Sequence, residues 1–229
     1  MLQSVRAVCC LRGGRCMSQT AGGVPTRGQH FMVVGLGNHG MAGTRHSVGM
    51  TAINQLARRL NVADQWKTDR RIGADLVTAQ LDGANLILIK PRHFMNVNGT
   101  SVSSAAGKFR LTAEKIYLLH DELDKPLGKV TLKLGGSARG HNGVRSCIDH
   151  LKSDTMIRLL IGIGRPADKS SVTTYVLGRF TRSEQELLSS VLEKGLDLLL
   201  GHIQKRTRDT ASATATPGPV ESRMPSIVI

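Results

Sequence analysis

The sequence predicts a single α/β domain, built as a mixed twisted β-sheet flanked by helices. Three observations lead there. Short apolar runs with strand character alternate with stretches of helical apolar spacing from residue 30 to about 205. The chain has 229 residues, of which 40% are hydrophobic, enough for one sizeable core. No internal repeat breaks it into smaller units.

FMVVGL (31–36) is a buried strand, because an apolar run this short suits a sheet covered on both faces. VGMTAINQLARRL (48–60) brings Val48, Ile53, Leu56 and Leu60 near one face of a helix. ADLVTAQL (74–81) and ANLILIK (84–90) form a strand pair across Asp82-Gly83, a favoured hairpin dipeptide. SVSSAAGKF (101–109) is helical, KIYLLHD (115–121) is a strand that runs out into charge, and KVTLKL (129–134) alternates as a half-buried strand. HNGVRSCIDHL (141–151) suits a helix after a glycine-rich turn, and IRLLIGIG (157–164) is a further buried strand. SEQELLSSVLEKGLDLLLGHI (183–203) is an amphipathic helix, with Ser183 at the N-cap and Glu186 placed for a capping box.

The two ends read differently. Residues 1–29 carry Arg6, Arg12, Arg15 and Arg27 and no acid, the first acidic residue being Asp64. Basic, acid-free and Ser-containing is the composition of a mitochondrial transit peptide, with a cytoplasmic location as the alternative. A long apolar segment of the secretory type is absent there. At the other end, ASATATPGPVESRMPS from Ala211 is small, polar and Pro-containing, so residues 206–229 are expected to form a disordered tail. The domain then spans 30–205.

Composition narrows the function. No apolar run approaches the roughly 20 residues that cross a bilayer, so no membrane partner is expected. Lys and Arg number 31 against 17 Asp and Glu, a net charge of +14 that favours polyanions. Aromatics are 3%, too few for a broad base-stacking platform, so phosphates would dominate any contact with nucleic acid. Cys9, Cys10 and Cys16 crowd the N-terminus and Cys147 stands apart, a spacing that fits neither a disulfide framework nor a zinc site.

VVGLGNHG (33–40) carries G-x-G-x-x-G at a strand end, the written form of a dinucleotide turn. Its context fails. Gly40 is followed by MAGTRHSVG before any helix, and a helical pattern, not a second strand, precedes the first acid at Asp64. Polar residues at other strand ends are more informative: Asn38, His46, Asn96, the His120-Asp121-Glu122 run with Asp124, and His141-Asn142. A histidine beside a carboxylate is a general base, and asparagine amides can hold a carbonyl, a peptide unit or a ribose. No serine or cysteine stands out as a nucleophile, so such a base would activate water. The acids of HDELD are too few, and without a second converging motif, to hold a hard cation, so neither metal nor cofactor is expected.

VVGLGN…TRHSVG, KPRHFMNVNG, LLHDELDKPLGKVTLKLGGSARGHNGVRS and IRLLIGIGRP closely resemble the bacterial-type peptidyl-tRNA hydrolases over residues 31–200. The resemblance implies a monomer that cleaves the ester between a peptide and the 3′ end of tRNA without a metal. By motif, it makes His46 the base, Asp121 its support, and Asn38 a contact for the peptide side. Phe94, Met95 and Asn96 would line the site, Asn142 would hold substrate near the 3′ terminus, and Lys133 would meet a tRNA phosphate. His120 and Glu122 become structural neighbours. The chain departs from the family pattern at His39-Gly40-Met41, where a proline and a tyrosine are usual, and at Ser47 and His93. Leu160 replaces a basic residue, leaving Lys133 with Arg158 as a nearby substitute. These departures motivate an alternative, a non-catalytic tRNA- or RNA-binding protein.

Overall fold

The computed structural model describes residues 28–214. Its strands are β1 (Gln29–Gly35), β2 (Lys67–Asp69), β3 (Ala74–Leu81), β4 (Ala84–Pro91), β5 (Ile116–Glu122), β6 (Val130–Leu134) and β7 (Ile157–Gly162). Its helices are α1 (Val48–Arg59), α2 (Asn98–Phe109), α3 (Asn142–Leu151), α4 (Val172–Leu177) and α5 (Arg182–Thr214). The strands form one 7-stranded sheet in the order β2-β3-β4-β1-β5-β7-β6. Its centre, β4-β1-β5-β7, is parallel, and β2, β3 and β6 are added antiparallel at the two sides.

Side-chain alternation divides the core into two layers. Phe31 and Val33 of β1 face α1 and α5, packing with Ile53, Leu56, Leu192, Leu196 and Ile203. Met32 and Val34 face α2 and α3, packing with Val102, Ala105, Val144 and Cys147. Covering both faces is why LILI of β4 is apolar without interruption. The β3–β4 turn takes the primed geometry its sequence predicts, with Asp82 at φ 42 and Gly83 at φ 84.

Two of the three glycines of the opening turn, Gly35 and Gly37, serve close packing, while Gly40 stands in open space at φ 81. A Cβ on Gly35 would lie 2.5 Å from the Gly49 carbonyl oxygen, and one on Gly49 would lie 2.1 Å from that of Leu119. Strand β1 and helix α1 therefore meet backbone to backbone, and α1 begins only at Val48.

Several boundaries differ from expectation. Helix α2 begins at Asn98, earlier than 101. Two elements carry no readable pattern: β2 is three residues with two exposed, and α4 is VTTYVL, rich in β-branched residues. Helix α5 runs to Thr214, past the expected domain end at 205, and tertiary contacts are made on both sides of that point. Gln204 donates to Asp82, and Arg206 to the Glu114 carbonyl. The N-terminal box of α5 is Thr181–Glu184, not Ser183–Glu186. Glu184 N donates to Thr181 Oγ1 at 3.3 Å and Thr181 N to Glu184 Oε2 at 2.7 Å, since the helix starts one residue before Ser183. The leader proposed for 1–29 falls almost wholly outside the described residues, as does the tail beyond 214.

Candidate active site

The loops that leave β1, β4, β5 and β7 at their carboxyl ends converge on a cleft of about 540 Å³. Such ends collect functional groups because the parallel strands deliver their loops to one side. Asn38, His46, Met95, Asn96, Asp121, His141 and Asn142 line the cleft.

His46 stands in a single 3₁₀ turn, Arg45–Ser47, just ahead of α1. Its neighbours hold that turn. Arg45 is buried and donates to the Arg179 carbonyl at 2.7 Å and to Glu184 at 2.7 and 3.0 Å. Its guanidinium also lies 4.4 Å from the Tyr175 ring centroid. Buried Ser47 accepts from the Asn38 backbone N–H at 3.2 Å and from Thr44 Oγ1 at 3.1 Å. The serine at this departure from the family pattern thus braces the Asn38 turn.

Asp121 sits near the end of central strand β5 and is 3% exposed. Both its oxygens lie 2.9 Å from His46 Nδ1, and Oδ1 lies 2.9 Å from His141 Nε2. His141 is also the N-cap of α3, its Nδ1 accepting from Val144 N–H at 3.2 Å. An accepting Nδ1 has no proton, so the proton of neutral His141 is on Nε2 and is donated to Asp121. On His46 the proton facing Asp121 is on Nδ1, which leaves Nε2 as the basic nitrogen. Burial would push the Asp121 carboxyl up, but the charge and hydrogen bonds of His141 and His46 more than offset this and hold it well below the usual carboxylate range. His120 is separate: its Nδ1 meets the Asp121 carbonyl at 2.7 Å, and burial, with His141 beside it, pushes its pKa down to about 3. It is neutral and structural.

The asparagines divide into two kinds. Asn38 Oδ1 accepts from Met95 N–H at 2.7 Å, so its Nδ2 remains as a donor in the cleft wall. Asn142, first residue of α3, is exposed beside it. Asn98 is fully buried and was not legible as a site residue. It accepts from Gly37 N–H at 3.1 Å and donates to the carbonyls of His93 and Phe94, tying the β1 loop to the β4 loop. His141 was visible as a polar residue at a helix opening, yet only the fold reveals that it shares Asp121.

Phe94 and Lys133 stand outside the cleft lining. Phe94 is 64% exposed, and Lys133 lies on edge strand β6. Arg158, expected to substitute for the missing basic residue, cannot do so. It is 2% exposed and donates to the carbonyls of Gly136, Ser137 and Asp154. Among the described residues, the ligand atoms of His46, Asp121 and His141 converge within 4.8 Å, the one such set available to a metal. Both imidazoles there direct N–H groups at the carboxylate, so a cation would have to displace both protons.

A histidine oriented by a buried carboxylate, in a cleft walled by asparagine amides and with, among the described residues lining it, no serine or cysteine, has the groups a hydrolase needs. Comparisons carry this to a family. A family model described as Peptidyl-tRNA hydrolase matches residues 32–220. The chain is 60% identical over 185 residues to a mouse protein named "Probable peptidyl-tRNA hydrolase", covering 81% of this chain and 91% of that one. It is 40% identical over 186 residues to the peptidyl-tRNA hydrolase of Rhodospirillum rubrum, covering 80% and 75%. The crystal structure of peptidyl-tRNA hydrolase from Acinetobacter baumannii superposes with a TM-score of 0.68 at 33% identity, covering 78% of this chain and 92% of that one. The chain belongs to the peptidyl-tRNA hydrolase family.

Proposed function

We propose that the protein hydrolyses the ester bond between a peptide and the 3′ end of tRNA, with His46 as the base. The carrying observation is the pair of 2.9 Å contacts between His46 Nδ1 and buried Asp121 at the cleft wall. In this reading His46 Nε2 removes a proton from water as its oxygen attacks the ester carbonyl. Asp121 stabilises the imidazolium that forms, and Asn38 Nδ2 donates to the carbonyl oxygen as charge develops there. The tetrahedral species collapses, and the imidazolium proton passes to the departing ribose oxygen. The products are a peptide carboxylate and a tRNA with a free terminal hydroxyl. Met95, Asn96 and Phe94 are assigned to the peptide and terminal nucleotide, Asn142 to the region of the 3′ terminus, and Lys133 to a phosphate.

The test compares N-blocked with unblocked aminoacyl-tRNA in the presence of EDTA. Release from the blocked form alone is expected. His46→Ala should abolish release while the tRNA stays bound; turnover by that variant would remove His46 from the role of base. A non-catalytic RNA-binding role is less favoured, since it does not require His46, Asp121 and Asn38 to meet in one cleft.

The finer assignments follow the same reading. The protein acts as a monomer, which sedimentation at micromolar concentration would check. The acid-free N-terminal segment directs it to mitochondria, so residues 1–29 fused to a fluorescent protein should give a mitochondrial signal, and a diffuse one would count against this.

A further inference from the structure

We propose that Arg45 is a positioning residue for the base: with Glu184 it locks the turn that carries His46 to the α4 wall of the cleft, and so holds His46 in register with Asp121. This rests on the hydrolase reading above and adds to it a residue that acts through His46. The turn Arg45–Ser47 is a single 3₁₀ turn, and Thr44 before it gives no side-chain cap. So short a piece has little stability of its own. Yet His46 Nδ1 must meet both oxygens of Asp121 at 2.9 Å, and Asp121 belongs to another element, β5. Contacts from outside the turn have to fix it.

The segment around and after α4 closes on Arg45. The Arg45 backbone N–H donates to the Gly178 carbonyl at 2.9 Å, and Thr44 pairs with Arg179 in an isolated antiparallel bridge. Both Nη atoms are held, Nη1 by the Arg179 carbonyl and Nη2 by the two oxygens of Glu184. The guanidinium also lies 4.4 Å from the ring centroid of Tyr175 and 5.2 Å from that of Phe180. Tyr175 in turn donates to the Ile163 carbonyl, just past the end of β7. Helix α4 supplies Val172, Thr173, Val176 and Leu177 to the cleft lining, while Arg45 itself lies behind it. One guanidinium therefore joins the cleft wall to the residue next to the base. Its burial points to geometry rather than stability. Arg45 is 8% exposed, and its Nε has no acceptor among the described residues. A buried charge pair adds little net stability over an apolar pair of the same shape. A planar guanidinium held by a carboxylate, a carbonyl and two rings does, however, admit one orientation. Glu184 has a second task, the α5 capping box with Thr181, and substitutions can separate the two.

The test measures three quantities: kcat and KM on N-blocked aminoacyl-tRNA, tRNA binding as a function of KCl, and the downfield proton resonance of His46 Nδ1–H, assigned by its loss in His46→Ala. Arg45→Ala is expected to lower kcat about 10²-fold, as misplacing a catalytic group by about 1 Å would. KM and the salt slope should stay unchanged, and the Nδ1–H resonance should broaden or vanish. Arg45→Lys keeps the charge without the planar group and should recover little of kcat. Guanidinium at millimolar concentration, well below denaturing levels, should restore part of kcat to Arg45→Ala, and equal KCl should not. Glu184→Gln keeps an acceptor for the Thr181 cap and loses the charge on Arg45, so kcat should fall about tenfold. Thr181→Ala removes the cap and leaves the Arg45 pair, so it should lower the melting temperature at unchanged kcat. Should Arg45→Ala fail to fold, Glu184→Gln carries the same test. An unchanged kcat with the Nδ1–H resonance retained, in either variant, would overturn the proposal alone. A raised KM and a shallower salt slope at unchanged kcat would also overturn it, by making Arg45 a contact for the tRNA. An inactive wild type would overturn the hydrolase reading, and the Nδ1–H resonance would still decide whether Arg45 holds His46 in place.

Discussion

Asp121→Asn tests the reasoning at its centre. Asp121 receives two N–H groups, from His46 Nδ1 and His141 Nε2, each at 2.9 Å. An asparagine has one carbonyl oxygen, so it can satisfy one imidazole, while its NH₂ faces the other. The charge effect is larger. When His46 becomes an imidazolium, the carboxylate attracts it by about 4 kcal/mol at about 4 Å and an effective dielectric near 20. That is roughly a thousandfold in kcat. Loss of the correct His46 tautomer adds to it, so a fall of about 10³ to 10⁴ is expected. The assay is single-turnover release from saturating N-blocked aminoacyl-tRNA, with circular dichroism and tRNA binding as controls. His141→Ala should fall by only about tenfold, since it removes a donor and leaves the charge. In the double variant the effects should not add, because both act through one carboxylate. A loss below tenfold in Asp121→Asn, with the fold intact, would refute the assignment of Asp121 as the group that stabilises the base.

Other consequences are structural. Gly49→Ala should destabilise by about 1–3 kcal/mol, since its Cβ would lie 2.1 Å from a backbone oxygen that cannot yield; an unchanged denaturation midpoint would refute the close approach of α1. Thr181→Ala should remove about 1 kcal/mol and Ser183→Ala almost nothing, a difference that thermal melts can read. His120 has a native pKa of about 3 against an ordinary 6.5, so the unfolded chain binds the extra proton between these values. Stability should be full above pH 6.5 and decline on acidification from there, by at most about 1.4 kcal/mol per pH unit. Urea titrations at pH 7 and 4.5 would show a smaller decline for His120→Gln, and an equal one would refute the neutral, buried state.

Much of this protein was written in local pattern. The apolar runs gave β1, β4, β5 and β7, because strands buried on both faces need little but continuous hydrophobicity. Asp82-Gly83 specified its own turn, as few other residues take positive φ twice. His46, Asp121 and Asn38 were legible as polar groups at apolar strand ends, and the motifs around them pointed to the family. Other features depended on contacts distant in sequence. α4 and the last turns of α5 lack a signature of their own: α4 is secured by Tyr175 on the Ile163 carbonyl, and α5 by Arg206 on that of Glu114. Asn98 looked like one more residue of a helix opening until burial between two loops made it their tie. The same is true of charge. Arg158 and Arg139 are alike as letters, yet one is enclosed by carbonyls and the other stands open at the cleft. Sequence determined which chemical groups were present and which elements would carry them. Only the tertiary structure decided which groups share a partner and which cations remain unpaired, because burial and pairing depend on what the fold brings within a few ångströms.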